Sequence, residues 1–177
     1  AKLSEDIGKL QAKLKDAQGA RFRLVVTDGV FSMDGTLAPL EGICELAERY
    51  DGMVLVDDSH ASGFIGPGGR GTPTHFGVEE RVHIITSTLG KALGGGSGGF
   101  IAAGQHVVDM LRQVSRPYLF SNTVAPAIVG ASLAVLERLE ESAAPREKLF
   151  ANTQRFRQGM LDAGFELLGE THPITPV

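Results

Sequence analysis

Four short apolar runs constrain the fold more than anything else in the chain. Residues 24–27, 53–56, 82–86 and 100–103 are each about one strand long and rich in β-branched or small apolar side chains. They lack the apolar-polar alternation of a half-exposed strand, a texture expected for strands covered on both faces. Helical patterns lie between them. Ile7, Leu10 and Leu14 recur at helical spacing among Lys, Asp and Gln, which predicts an amphipathic surface helix. Leu40, Ile43, Leu46 and Ala47 mark a second helix, with Pro39 suited to its first turn and an end near Asp51-Gly52. Strands separated by helices predict an α/β layer structure with a mostly parallel sheet flanked by helices.

In such sheets ligands sit beyond the carboxyl ends of the strands. The polar, glycine-rich segments after Thr27, Val56 and Thr86 lie there, so Ser32, Asp57, His60 and Lys91 are expected to gather at one edge. After Asn122 the texture changes. Ile128, Leu133, Leu136 and Leu139 predict a long helix over 125–141, a second helix follows over about 145–163, and residues 165–168 read as the start of a strand. The expected organisation is therefore part of a large domain over 1–124 and the beginning of a smaller α+β domain over 125–177.

Bulk properties exclude several classes. A net charge of -4 without basic runs argues against nucleic acid, whose phosphates need a positive stripe. No apolar run approaches membrane-spanning length and no signal peptide is visible, which makes the cytoplasm the expected location. The lone Cys44 excludes an internal disulfide framework and a multi-thiolate zinc cage. Starting on Ala1 and stopping on the β-type run Ile174-Thr175-Pro176-Val177, the chain reads as an internal piece of a longer protein.

Individual motifs narrow the chemistry. Gly94, Gly96 and Gly99 satisfy the spacing of a dinucleotide-binding loop, but that loop must open a helix and this one leads into an apolar strand. A phosphate-binding Walker loop fails because Ala92, not Ser or Thr, follows Gly90-Lys91. Asp57-Asp58-Ser59-His60 follows an apolar strand; no second metal-ligand pair stands at useful spacing, since His75, His83, His106 and His172 are scattered. A serine hydrolase lacks its G-x-S-x-G elbow. A strand-end Asp, a nearby His and a later lysine among glycines and apolar residues have a more specific use. Pyridoxal phosphate needs a carboxylate against its pyridinium nitrogen and a lysine for its Schiff base. The glycines permit close backbone approach, as suits a lysine in a closed site. From the residues alone, a Ser/His hydrolase and a nucleotide-binding module stand as the rival classes.

Three segments carry a resemblance. Asp28-Gly29-Val30-Phe31-Ser32-Met33-Asp34-Gly35, Val56-Asp57-Asp58-Ser59-His60-Ala61 and Thr86-Ser87-Thr88-Leu89-Gly90-Lys91-Ala92-Leu93-Gly94-Gly95 resemble, in order, the α-oxoamine synthase family of fold-type I pyridoxal-phosphate enzymes. Gly69-Arg70-Gly71-Thr72 and Arg116-Pro117-Tyr118-Leu119-Phe120-Ser121-Asn122 are most similar to the branch that condenses glycine with acetyl-CoA; sister branches tend to differ around His60.

The resemblance implies roles residue by residue. Lys91 is the Schiff-base lysine and removes the α-proton, Asp57 pairs with the pyridinium nitrogen, and His60 sits near the ring hydroxyl. Ser32, Asp58, Ser59 and Thr88 are further cofactor contacts, Thr88 reaching the phosphate. Ser121 and Asn122 match positions that touch the phosphate of the neighbouring subunit's cofactor, which implies a homodimer with a shared site. Taken alone, that pair passes for a helix N-cap before Ala125. The family's phosphate-holding turn and ring-stacking residue are expected before Ala1, and its carboxylate-gripping arginine after Val177, so this piece alone is expected to turn over little or not at all.

Overall fold

A computed structural model describes residues 2–94, 96–141, 143–169 and 171–177. The chain begins with α1 (Lys2–Asp16), β1 (Leu24–Asp28), a small hairpin of β2 (Val30–Phe31) and β3 (Thr36–Leu37), α2 (Leu40–Arg49) and β4 (Met53–Asp57). The short α3 (Thr72–His75), β5 (Ile84–Thr88) and β6 (Gly99–Ala103) follow. Four helices come next: α4 (Gln105–Val114), α5 (Arg116–Phe120), α6 (Pro126–Glu141) and α7 (Ala144–Asp162). Among the described residues the main sheet has the order β1-β4-β5-β6, with β1, β4 and β5 parallel.

All four apolar runs become strands. β6 is antiparallel to β5, because only the loop 89–98 joins them and a parallel return needs a crossover of a dozen or more residues. Thr88 pairs with Gly99 at the mouth of this hairpin, and the Leu89 amide donates to the Gly98 carbonyl at 3.0 Å.

Helices α1 and α2 cover one face of β1 and β4. Leu40, Ile43, Cys44, Leu46 and Ala47 of α2 pack with Val25, Val54, Val56 and Leu14 into a single cluster. Val54 and Val56 are both 0% exposed, a burial that stabilises by roughly 1.5–3 kcal/mol per side chain. Helix α2 ends as its spacing predicts: Asp51 takes a φ of 51°, and the Gly52 amide returns to the Ala47 carbonyl at 2.7 Å.

The expectation of strands covered on both faces needs correction. Val25 is buried while Leu24 and Val26 are exposed, and Phe100 and Ile101 of β6 are exposed too. In β1 and β4, side chains that do not alternate in type do alternate in burial, since successive residues of a strand face opposite sides.

Two further expectations fail. Residues 165–168 form no strand; the Leu168 amide instead donates to the Pro176 carbonyl at 3.0 Å, folding the chain's last segment on itself. Nor do Ser121 and Asn122 cap α6: Ser121 closes α5, and the Ala125 carbonyl receives the first amides of α6. Among the described residues no helix is long and apolar enough to cross a membrane.

Candidate active site

Strand register assembles the site. Asp28 of β1 lies beside Asp57 of β4, and Asp57 beside Thr86 of β5, so three polar residues line one carboxyl edge. The chain leaving β4 is tied to both neighbours: Gly29 N–H donates to the Asp57 carbonyl and Asp58 N–H to the Thr86 carbonyl, each at 2.8 Å. Loops starting from this edge carry Ser32, Ser59, His60 and Lys91.

Asp57 is partly buried and aimed by its neighbours. The Ser59 amide donates to its Oδ1 at 2.9 Å. Burial pushes this carboxyl up, but hydrogen bonds from Ser59 and Thr86 and the Lys91 charge outweigh it, leaving Asp57 below the ordinary aspartate value. His60 is shifted the other way in charge terms. Burial and the Lys91 ammonium both lower its pKa, against weaker opposition from Asp28 and Asp57, so its imidazole is neutral at pH 7. Asp57, His60 and Lys91 thus lie on or just beyond neighbouring strands β4 and β5, at the same carboxyl edge. Lys91 itself is exposed, not enclosed as its glycine-rich setting suggested.

Asp58 is the most tightly held of the predicted residues. It is 1% exposed, and Thr72 takes both of its oxygens: the amide at 3.2 and 3.1 Å and the hydroxyl at 2.6 Å. Burial raises its pKa against these bonds. Held this way, Asp58 clamps the β4 loop to the start of α3. Gly71 shows how closely, since its φ is 103° and a Cβ there would collide with Asp58 Oδ2.

The remaining predicted residues are spread around this centre. Ser32 occupies the turn between β2 and β3. Thr88 Oγ1 accepts from Gly90 N–H at 3.1 Å and donates to the Gly98 carbonyl at 3.2 Å, fixing the start of the lysine loop. Gly95 lies outside the described residues. Ser121 and Asn122 are exposed beyond α5.

Sequence reasoning missed three supports. Thr86 bonds Asp57, and Ser62 accepts from Ser87 Oγ at 2.9 Å across the β4–β5 loops. The third is His172, whose Nε2 lies 2.9 Å from the His60 carbonyl oxygen. Register could have pointed to Thr86; nothing local points to His172.

A family model for aminotransferase class I and II matches residues 2–177. The chain belongs to the aminotransferase class I and II family. It is 57% identical over 176 residues to a 2-amino-3-ketobutyrate coenzyme A ligase of Salmonella typhimurium, covering 98% of this chain and 44% of that protein. The human mitochondrial protein of the same name is 53% identical over 172 residues, covering 97% of this chain and 41% of that protein. An 8-amino-7-oxononanoate synthase of Exiguobacterium sibiricum is 50% identical over 172 residues, covering 97% and 44%. Among solved structures, a serine palmitoyltransferase of S. paucimobilis with a bound PLP–myriocin aldimine superposes with a TM-score of 0.87 at 32% identity, over 93% of this chain and 42% of that one. The likeness to α-oxoamine synthases and the fold-type I architecture are both borne out by these relatives. The chain spans 44% of the length of the Salmonella relative, less than half.

Proposed function

We propose that the protein containing this chain is a pyridoxal-phosphate-dependent acyltransferase that condenses glycine with acetyl-CoA to 2-amino-3-oxobutanoate and CoA, reversibly. One observation carries the reading: the chain is 57% identical over 98% of its length to a 2-amino-3-ketobutyrate coenzyme A ligase, and the ends of β4 and β5 with the loops that follow them, at one carboxyl edge of its sheet, bear Asp57, His60 and Lys91. The donor set fits the cofactor, since a carboxylate held ionised and aimed by Ser59 is what a pyridinium nitrogen requires. Bound there, pyridoxal phosphate supplies an electron-withdrawing ring that stabilises negative charge on the adjacent carbon.

The chain's own groups do the rest. Asp57 holds a proton on the ring nitrogen. His60, neutral, offers an uncharged partner to the ring hydroxyl. Lys91 would hold the cofactor through its amine and, freed when glycine binds, would take the proton from glycine Cα. Ser32 and Ser59 would be further cofactor contacts, Ser59 also aiming Asp57, and Thr88 would reach the phosphate from the loop it fixes. Ser121 and Asn122 serve a second subunit's site, so the working unit is a homodimer. The rest of each subunit closes the space around Lys91, and residues 1–124 and 125–177 fall to a large and a small domain. Among the described residues every strand precedes residue 104, in keeping with that division. We place the protein in the cytoplasm on composition, noting that mammalian relatives are named as mitochondrial.

The test is CoA release by the full-length protein, with glycine and other amino acids against acetyl-CoA and longer acyl-CoAs. Glycine with acetyl-CoA is expected to be preferred at least tenfold. Preference for another amino acid with a long acyl-CoA would shift the protein to the 8-amino-7-oxononanoate synthase reading, which the 50% identical relative supports.

A further inference from the structure

The last segment of the chain is fastened to both loops of the site. Arg157 of α7 anchors its start, donating through Nη2 to the carbonyls of Leu168 at 3.2 Å and Gly169 at 2.5 Å, and through Nη1 to Thr175 Oγ1 at 3.4 Å. Gly169 and Gly35 meet backbone to backbone. A Cβ on Gly169 would lie 2.6 Å from the Gly35 carbonyl, and one on Gly35 would lie 3.1 Å from the Ile174 carbonyl. Gly35 closes the turn that carries Ser32. From the same segment His172 reaches the loop after β4.

His172 is 1% exposed and its ring lies 5.4 Å from that of Phe64. Its tautomer follows from its partners. The Ile174 amide can only donate, and does so to Nδ1 at 3.0 Å. Nδ1 is therefore bare, and the hydrogen sits on Nε2, which donates to the His60 carbonyl at 2.9 Å. Burial lowers the pKa of this ring, in keeping with one neutral tautomer.

We propose that His172 is a positioning residue: its Nε2–H holds the His60 backbone, and with it the loop that presents Asp57, Ser59 and His60, from a segment that Arg157 anchors and that also braces the Ser32 turn. The consequence for cofactor binding rests on the function proposed above; the hold on His60 does not.

Two amide variants separate this role from plain packing. In H172Q the side-chain amide reaches as Nε2 does and keeps the bond to His60. In H172N the shorter oxygen can replace Nδ1 for Ile174, but the reach to His60 is lost. In full-length apoprotein, the rate of His60 modification by diethyl pyrocarbonate, read by mass spectrometry, is expected to rise several-fold in H172N and to stay near wild type in H172Q. The cofactor dissociation constant, read by visible absorbance, is expected to rise about tenfold in H172N, the loss of one bond to a buried partner, and to stay within about threefold in H172Q. Wild-type behaviour of H172N in both readouts would overturn the proposal, and so would H172Q impaired as much as H172N. Should H172N fail to fold, R157Q, which frees the anchor, is expected to raise the His60 rate, and an unchanged rate there would overturn the proposal. If the wild-type holoprotein shows no cofactor band, the functional reading falls, while the apoprotein rates still decide the role of His172.

Discussion

The packing of α2 on β4 and the helices from α4 onward treat similar apolar side chains in opposite ways. In the first region Leu40, Val54 and Val56 are completely buried between helix and sheet. In the second, Tyr118, Phe120, Leu133 and Phe156 stand more than half exposed, Phe120 at 78%. Both regions show helical periodicity, so local pattern does not separate them; what differs is whether this stretch of chain supplies the opposing surface. The site straddles the difference. Asp57, Asp58 and His60 end or follow β4, whose Val54 and Val56 are buried, whereas Lys91, Ser121 and Asn122 are exposed. The acidic side of the site is thus held by this chain's own packed strands, and the lysine side is open to solvent.

The largest expected effects test that contrast directly. Leu40→Ala is expected to destabilise this chain by about 3 kcal/mol in urea unfolding followed by circular dichroism. Leu133→Ala, at a position 56% exposed, should cost under about 0.5 kcal/mol in the same measurement. Equal costs would mean that the second region is as well covered as the first. Gly71→Ala comes next, at about 2 kcal/mol, because the added Cβ meets Asp58 Oδ2 and φ is 103°. A neutral result would remove Asp58 as a clamp.

A smaller effect is pH-dependent. Burial depresses the pKa of both His172 and His60, so the native state binds fewer of their protons than the unfolded chain does. Above the ordinary histidine value of about 6.5 neither matters; as pH falls through that value toward the depressed ones, stability is lost. H172Q removes one of the two sites, so its stability should fall less steeply between about pH 7 and pH 5 than that of wild type, as followed by thermal melting. A parallel pair of curves would show that His172 titrates alike in both states.

Much of this architecture was legible because strand signals are local. Met53 to Val56 is apolar and ends in Asp57, and that suffices to place a carboxylate at a sheet edge. The placing of Lys91 on the loop after β5 was legible in the same way, from the apolar run before it. Asp57 and Asp58 look equivalent in the sequence, yet neighbouring residues point to different sides, and the partner that claims Asp58, Thr72, lies 14 residues on. His172 was the least legible of all, because its carbonyl partner is 112 residues away. The β-type run at 165–168 misled for a related reason: strand propensity needs a neighbouring strand, and Leu168 pairs with Pro176 instead.

The most direct test of the central claim is a pyridoxal-phosphate titration of the full-length protein beside Lys91→Ala, followed by visible absorbance. The predicted result is a visible band from the lysine–cofactor adduct in wild type and its loss in the variant. A folded wild-type protein with no band, or a variant that keeps it, would contradict the account.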